Sequence, residues 1–123
     1  MPFTPLHLGP ALLVALIAYP LLDVPTLLVA SVVLDLEPLT IMLLDLPQPL
    51  HGQYHSFTLG TLIALAVALA MHLLRLYTEP YMVRMRLGQG TDIRVYVASA
   101  ILGVWMHVVM DAFIYSDVTL LYP

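Results

Sequence analysis

The chain has 123 residues, of which 61% are hydrophobic and only 10% are charged. A water-soluble domain of this size needs far more polar residues to cover its surface, so that class of protein is excluded. The net charge of −4 comes from 8 acidic residues against 4 arginines, and the chain has no lysine and no cysteine. We therefore expect no nucleic-acid partner, no disulfide framework and no thiolate metal site. The expected organisation is a single transmembrane domain, residues 1–123.

Four apolar segments predict an all-α integral membrane protein, a four-helix transmembrane bundle. The first segment, Leu8 to Leu22, is short for a bilayer core of ~30 Å, so we expect a marginal span or a re-entrant segment. The second segment, Thr26 to Leu44, contains Pro38. A break of the second helix is predicted near this proline, because proline lacks a backbone donor and disfavours helical geometry in the residue before it.

The third segment, Phe57 to Tyr77, is almost free of charge. It carries small residues at helical spacing, Gly60, Ala64 and Ala68, which predict close packing against another helix. The fourth segment runs from Ile93 to Tyr115.

The distribution of arginines predicts the orientation. All four arginines lie between residues 75 and 94, in and beside the connector of the third and fourth segments. The positive-inside rule therefore places loop 78–92 in the cytoplasm. If all four segments cross, both termini and the connector Asp45 to Tyr54 face the outer side.

Seven ionisable residues fall on that outer side, and three of them are acids in or near hydrocarbon. They are His7, Asp35, Glu37, His51, His55, His107 and Asp111. No arginine or lysine is available there, so the acids are either protonated or neutralised by a bound cation. The imidazoles favour the cation, since neutral histidine with carboxylate suits Zn, Mn, Fe, Ni or Mg. One ion or two would fit this set.

The same residues form an ordered series of motifs: His7, then Asp35-Leu-Glu37-Pro, His51-Gly-Gln-Tyr-His55-Ser56, and His107-Val-Val-Met-Asp111. The series resembles that of the small inner-membrane proteins called membrane-bound metal-dependent hydrolases, over nearly the whole chain and in the right order. Their pattern is an N-terminal His, Asp-x-Asp, His-x3-His-Ser and a late His-x3-Asp. The resemblance implies metal ligation by all seven residues and a location in the cell (inner) membrane.

This chain departs from the family pattern at two places. Glu37 stands where the family has its second Asp, and Gly52-Gln-Tyr stands where an Arg-Gly pair is frequent. An arginine that could hold an anion is therefore absent from this motif.

The predicted function is a metal-dependent membrane hydrolase that activates water against a phosphoester or an ester at the membrane interface. Glu37 is the predicted general base, because the break near Pro38 frees it from the helix face of Asp35. The expected cofactor is one or two divalent ions, with zinc preferred and manganese, iron or magnesium as alternatives. The expected partners are the lipid bilayer and a small-molecule or lipid substrate, and a homo-oligomer is left open.

The alternative is a metal-ion binding or transport protein without hydrolytic activity. A passage needs ionisable residues across the inner half as well, and the sequence offers only His72 there. A haem protein with two histidine ligands and an accessory subunit with a purely structural site are further alternatives. We expect Asp23, Glu79 and Asp117, at segment ends, to be solvated by water, and Ser56 at most to support His55.

Overall fold

The structure, a computed structural model, describes residues 5–86, 88 and 92–122. These residues contain helices and no strand, as the sequence predicts. The α-helices are α1 (Leu8–Ile17), α2 (Val24–Ala30), α3 (Leu36–Leu43), α4 (Phe57–Arg84) and α5 (Ile93–Ile114). Short 3-10 turns precede α1, at Pro5–His7, and α3, at Val33–Asp35.

Three helical stretches are long and apolar enough to cross a membrane. The first is Val24–Leu43, which comprises α2, the turn Val33–Asp35 and α3. The other two are α4 and α5. Helix α1 is too short, since its 10 residues reach only about 15 Å against a hydrocarbon core of ~30 Å. The prediction of a short first segment is confirmed. The bundle accordingly consists of three long stretches and one short helix.

The first segment is anchored to α5 at both ends. His7 Nε2 lies 3.1 Å from Asp111 Oδ1, and the backbone N–H of Asp23 donates to Ser99 Oγ at 2.8 Å. Asp111 and Ser99 are separated by about 18 Å along the helix. Helix α1 and the bend that follows it therefore cover this distance and fall short of a full membrane span.

The second stretch is interrupted between α2 and α3. Pro38 lies in the first turn of α3, where its missing N–H costs no helical hydrogen bond. The interruption itself precedes Leu36: the Asp35 N–H bonds to the carbonyl of Val32, at 3.1 Å, instead of that of Ser31. The Ser31 carbonyl is thereby free to accept a hydrogen bond from another helix.

Helix α4 continues beyond the predicted end at Tyr77, through Pro80, to Arg84. An ion pair between Arg75 Nε and Glu79 Oε2, one turn apart, supports this extension. A single proline removes one helical hydrogen bond and need not end a helix that other contacts hold. The predicted loop 78–92 is therefore helical in its first half, and its residues 87 and 89–91 lie outside the described part.

Small residues set the helix crossings. Gly60, Ala64 and Ala68 are buried on α4, where Gly60 faces Val104 of α5, so the predicted stripe is confirmed. A second crossing joins α5 to α2. A Cβ atom added at Gly103 would lie 2.7 Å from the carbonyl oxygen of Leu27 and 2.8 Å from the Cβ of Ala30. Only glycine permits this approach.

Candidate metal centre

Six of the seven predicted ligands come together and are buried, each no more than 3% exposed. We call them the His/Asp centre: His7, Asp35, His51, His55, His107 and Asp111. Two sets of their ligand atoms lie within 4.8 Å of one another, namely His7, Asp35, His107 and Asp111, and His51, His55 and Asp111. Ligands of one tetrahedral zinc ion at ~2.1 Å lie ~3.4 Å apart, so binding requires the side chains to move together by up to about 1.4 Å.

Asp111 belongs to both sets and lies in the middle of the centre. Its Oδ1 faces His7 Nε2 at 3.1 Å, and its Oδ2 lies 3.0 Å from His107 Nε2. The same Oδ2 lies 3.5 Å from His55 Nε2 and 3.9 Å from His51 Nε2. Four imidazoles from separate parts of the chain therefore turn their Nε2 atoms towards one carboxylate.

Three of these imidazoles are oriented by a hydrogen bond at Nδ1, the ring nitrogen that does not face Asp111. His107 Nδ1 lies 2.7 Å from the Ser31 carbonyl oxygen that the helix interruption leaves free. His55 Nδ1 lies 2.9 Å from Glu37 Oε2, and His51 Nδ1 lies 3.1 Å from Asp117 Oδ1. Carbonyl and carboxylate oxygens accept hydrogen bonds, so each Nδ1 carries the proton and donates it. In the neutral form, each Nε2 then presents a lone pair to the centre.

The imidazole nitrogens and carboxylate oxygens that meet at Asp111 need a positive charge among them. His55 Nε2 and His107 Nε2 lie 3.4 Å apart, so with both Nδ1 atoms protonated two lone pairs oppose each other unless a proton or a cation lies between them. Asp35 Oδ2 is buried without a hydrogen-bond partner, and the buried oxygens of Asp111 face only imidazole nitrogens. Arg75 is engaged with Asp23, at 3.4 Å, and does not serve the centre. The donor set is therefore one that a divalent cation fits.

Glu37 differs from the other six predicted ligands. It belongs to neither set of converging atoms, and it contacts the Nδ1 side of His55, away from Asp111. Its side chain is 16% exposed, more than any member of the centre. A Cβ atom at Gly52 would overlap Glu37 Oε1, so the glycine makes room for this carboxylate. Glu37 therefore orients His55 and keeps an oxygen at the edge of the centre.

Asp117 is exposed, as expected of a solvated acid, but it also contacts His51, which the sequence did not indicate. The backbone N–H of Phe57 donates to the Leu120 carbonyl at 3.0 Å, which folds the segment after α5 back over the start of α4. Asp117 thereby meets His51 and accepts from its imidazole and its backbone N–H, the latter at 3.3 Å. Burial raises the pKa of the Asp117 carboxyl, but these hydrogen bonds outweigh it and hold the pKa below its usual range.

Asp23 and Glu79, also expected to be solvated, form a second polar cluster with Arg75. We call these residues the arginine end. Asp23 is 1% exposed, caps α2 by accepting from the N–H of Thr26 at 3.0 Å, and lies 3.4 Å from Arg75 Nη1. Glu79 contacts Arg75 Nε. Ionisable residues at this end of the bundle therefore include the buried Asp23 and Arg75 as well as His72.

Ser56, expected to support His55, instead caps α4. Its hydroxyl accepts from the N–H of Leu59 at 3.3 Å and donates to the Gln53 carbonyl at 2.8 Å. This cap fixes where the helix starts, and so positions His55 directly before it.

No protein-family model, no curated protein and no solved structure matches this chain in comparisons of its sequence and fold.

Proposed function

We propose that the protein is a metal-dependent hydrolase of the membrane, with its site in the His/Asp centre. The observation that carries the proposal is the orientation of three histidines: each Nδ1 is held by an oxygen acceptor while each Nε2 faces Asp111. Histidines that bind catalytic metals are oriented in this way, by a carboxylate or carbonyl on the second nitrogen. The motif series supports the same class of protein.

A membrane location is supported by the outer surfaces of the helices. Leu16, Leu76 and Phe113 are 77%, 81% and 86% exposed, and many other large apolar side chains are exposed with them. Such a surface favours lipid over water as its environment. We place the arginine end in the cytoplasm and the His/Asp centre in the outer half of the bilayer, following the positive-inside rule.

The residues divide into holding and reacting groups. His7, Asp35 and His107 would hold one divalent ion, and His51 and His55 a second, with Asp111 between them. An ion held there would lower the pKa of a bound water towards ~7. Glu37 is the predicted ligand that stays outside both sets of converging atoms, and its carboxylate would accept the proton of the attacking water.

The transport alternative gains ionisable residues at the arginine end but meets an obstacle between the two clusters. On α5, Gly103 lies between Ser99, which contacts Asp23, and His107 of the centre. Gly103 packs against Leu27 and Ala30 so closely that a single added carbon overlaps them. A hydrated ion has no room at this crossing, which favours a closed site over a passage.

Glu37→Gln tests the proposal. We expect the variant to bind metal about 10- to 100-fold more weakly, because Glu37 holds His55 Nδ1, and to lose about 100- to 10,000-fold in kcat at saturating metal through the missing base. Metal content is measured by elemental analysis. Activity is measured on p-nitrophenyl esters and phosphodiesters with the full chain in detergent.

The matched control is Asp45→Asn, since Asp45 is exposed and contacts no member of the centre. It should leave both metal content and kcat unchanged. A wild-type rate in Glu37→Gln removes Glu37 as the base. A metal-loaded wild type that hydrolyses neither class of substrate contradicts the hydrolase proposal.

Asp117→Asn is expected to weaken metal binding about 10- to 100-fold, because an amide holds His51 less firmly than a carboxylate does. Competition with a chromophoric chelator measures the affinity. Asp92→Asn serves as control, since Asp92 caps α5 at the other end of that helix and asparagine preserves a cap. Equal affinities in wild type and Asp117→Asn would show that Asp117 does not support a bound ion.

A further inference from the structure

Two cavities of different character meet at Glu37 and Tyr54. The first, of about 450 Å³, is polar and is lined by Glu37, Gln48, Pro49, Gly52, Gln53 and Tyr54. The second, of about 320 Å³, is apolar apart from the shared pair and is lined by Val33, Leu34, Leu36, Glu37, Tyr54 and Ile63. A molecule occupying both must be polar at one end and apolar at the other.

The junction of the cavities is connected to the His/Asp centre. Glu37 forms part of both walls and bonds to His55 Nδ1 at 2.9 Å. The other nitrogen of that ring, Nε2, lies 3.5 Å from Asp111 Oδ2. The bond joining the polar and apolar parts of an occupant would therefore lie beside the predicted base.

Charge restricts the polar end of the occupant. Neither cavity has a lysine, arginine or histidine among its described lining residues, and Glu37 is acidic. A phosphate group here would lie on the Nδ1 side of His55, away from the converging ligand atoms that would hold an ion, and would face the Glu37 carboxylate without any basic side chain to offset the repulsion. The amides of Gln48 and Gln53 both donate and accept hydrogen bonds, so they suit hydroxyl groups.

From these observations we infer that the substrate is an uncharged carboxylic ester of a long acyl chain with a hydroxylated alcohol, of the monoacylglycerol type. The alcohol occupies the polar cavity and the acyl chain the apolar one. The inference rests on the proposed hydrolase function and selects the ester over the phosphoester. In the reaction, the water oxygen bonds to the acyl carbon and the ester C–O bond breaks. The proton that Glu37 takes from water passes to the departing alkoxide, which gives a fatty acid and a free alcohol.

A binding experiment tests the inference without turnover. The full chain in lipid nanodiscs is labelled with an alkylglycerol ether that carries a diazirine at the end of its chain, and labelled peptides are mapped by mass spectrometry. We expect label on the peptides of Val33, Leu36 and Ile63, displaced by monoacylglycerol and not by a plain alkane. Label spread over the lipid-facing leucines without such competition would overturn the inference.

Ile63→Trp fills the apolar cavity and should lower the competed labelling at least about tenfold. Leu62→Trp is the matched control, since Leu62 is the neighbouring residue of α4, is 59% exposed and lines neither cavity. Ile63→Ser removes apolar surface without adding bulk and covers the case in which the tryptophan variant does not fold. It should also lower the labelling, and unchanged labelling in a folded Ile63 variant counts against the inference.

Hydrolysis assays with esters of different chain length test the inference separately from the proposed function. We expect kcat/KM for decanoyl- and palmitoylglycerol to exceed that for acetylglycerol at least about tenfold, through burial of the chain. Equal rates for short and long esters, or a preference for glycerol phosphoesters, would overturn the inference and leave the hydrolase proposal standing. Competed labelling in a protein that hydrolyses nothing would overturn the hydrolase and still support the amphiphile site.

Discussion

Asp111→Asn is expected to remove metal binding and hydrolysis together. Asp111 is the one residue shared by both sets of converging ligand atoms, and both its oxygens face imidazole nitrogens. An amide has one oxygen fewer and no charge, so it can neither neutralise a divalent ion nor bridge two. We expect an affinity loss of more than about a hundredfold, beyond the loss typical of residues that only orient a ligand.

Thermal unfolding of the metal-free and metal-loaded protein measures this effect without an enzyme assay. A ligand at one hundred times its Kd stabilises the native state by about 2.7 kcal/mol, so Zn²⁺ should raise the Tm of the wild type. The same addition should leave the Tm of Asp111→Asn unchanged. Asp45→Asn, at an exposed position, should respond as the wild type does. A zinc-dependent rise in the Asp111 variant would place the ion elsewhere.

Gly103→Ala is expected to destabilise the fold and to disturb the centre from a distance. The added methyl would lie 2.7 Å from the Leu27 carbonyl and 3.1 Å from the backbone nitrogen of Ser31, so the backbone of α2 must move. Overpacking of this kind costs about 1–3 kcal/mol. The displaced segment also carries the Ser31 carbonyl that holds His107, so metal affinity should fall as well.

Gly9→Ala is the matched control, because a Cβ there meets nothing within 4 Å. Alanine favours helix over glycine, so this variant should be as stable as the wild type or slightly more so. Unfolding of the variants by a denaturing detergent, together with chelator competition, gives both readouts. If Gly103→Ala unfolds at the wild-type detergent concentration, the close crossing of α2 and α5 is not present in the protein.

The sequence predicted the members of the centre because polar residues are conspicuous in so apolar a chain. His107 and Asp111 are one helical turn apart, and the structure places their side chains 3.0 Å from each other. The small-residue stripe on α4 and the short first segment were also readable, since both follow from local spacing and length.

The groups that accept hydrogen bonds from the histidine Nδ1 atoms could not be predicted from the sequence. The Ser31 carbonyl has no side-chain signal and depends on the turn that interrupts the second stretch. Asp117 reaches His51 only because the segment after α5 folds back to Phe57, which is a tertiary contact. That Pro38 causes the interruption stays a prediction, since it lies after the turn, in the first turn of α3.

The sequence did contain a signal for the buried contact between Asp23 and Arg75 at the arginine end. Asp23 is followed by Val24, Pro25 and Thr26, and an acidic residue before a proline in the first turn is typical of a helix N-cap. A cap points its carboxylate at the helix start rather than at water, and Arg75 meets it there. The extension of α4 follows from the Arg75 and Glu79 pair, which had the spacing of a helical ion pair.

X-ray absorption spectroscopy of the purified, zinc-loaded protein is the most direct test of a metal in the His/Asp centre. We expect zinc bound by nitrogen and oxygen only, at ~2.0–2.2 Å, with the scattering pattern of at least two imidazoles. The imidazole signal should disappear in Asp111→Asn. A folded wild-type protein that retains no divalent ion, or one whose zinc shows water ligands alone, would contradict the account.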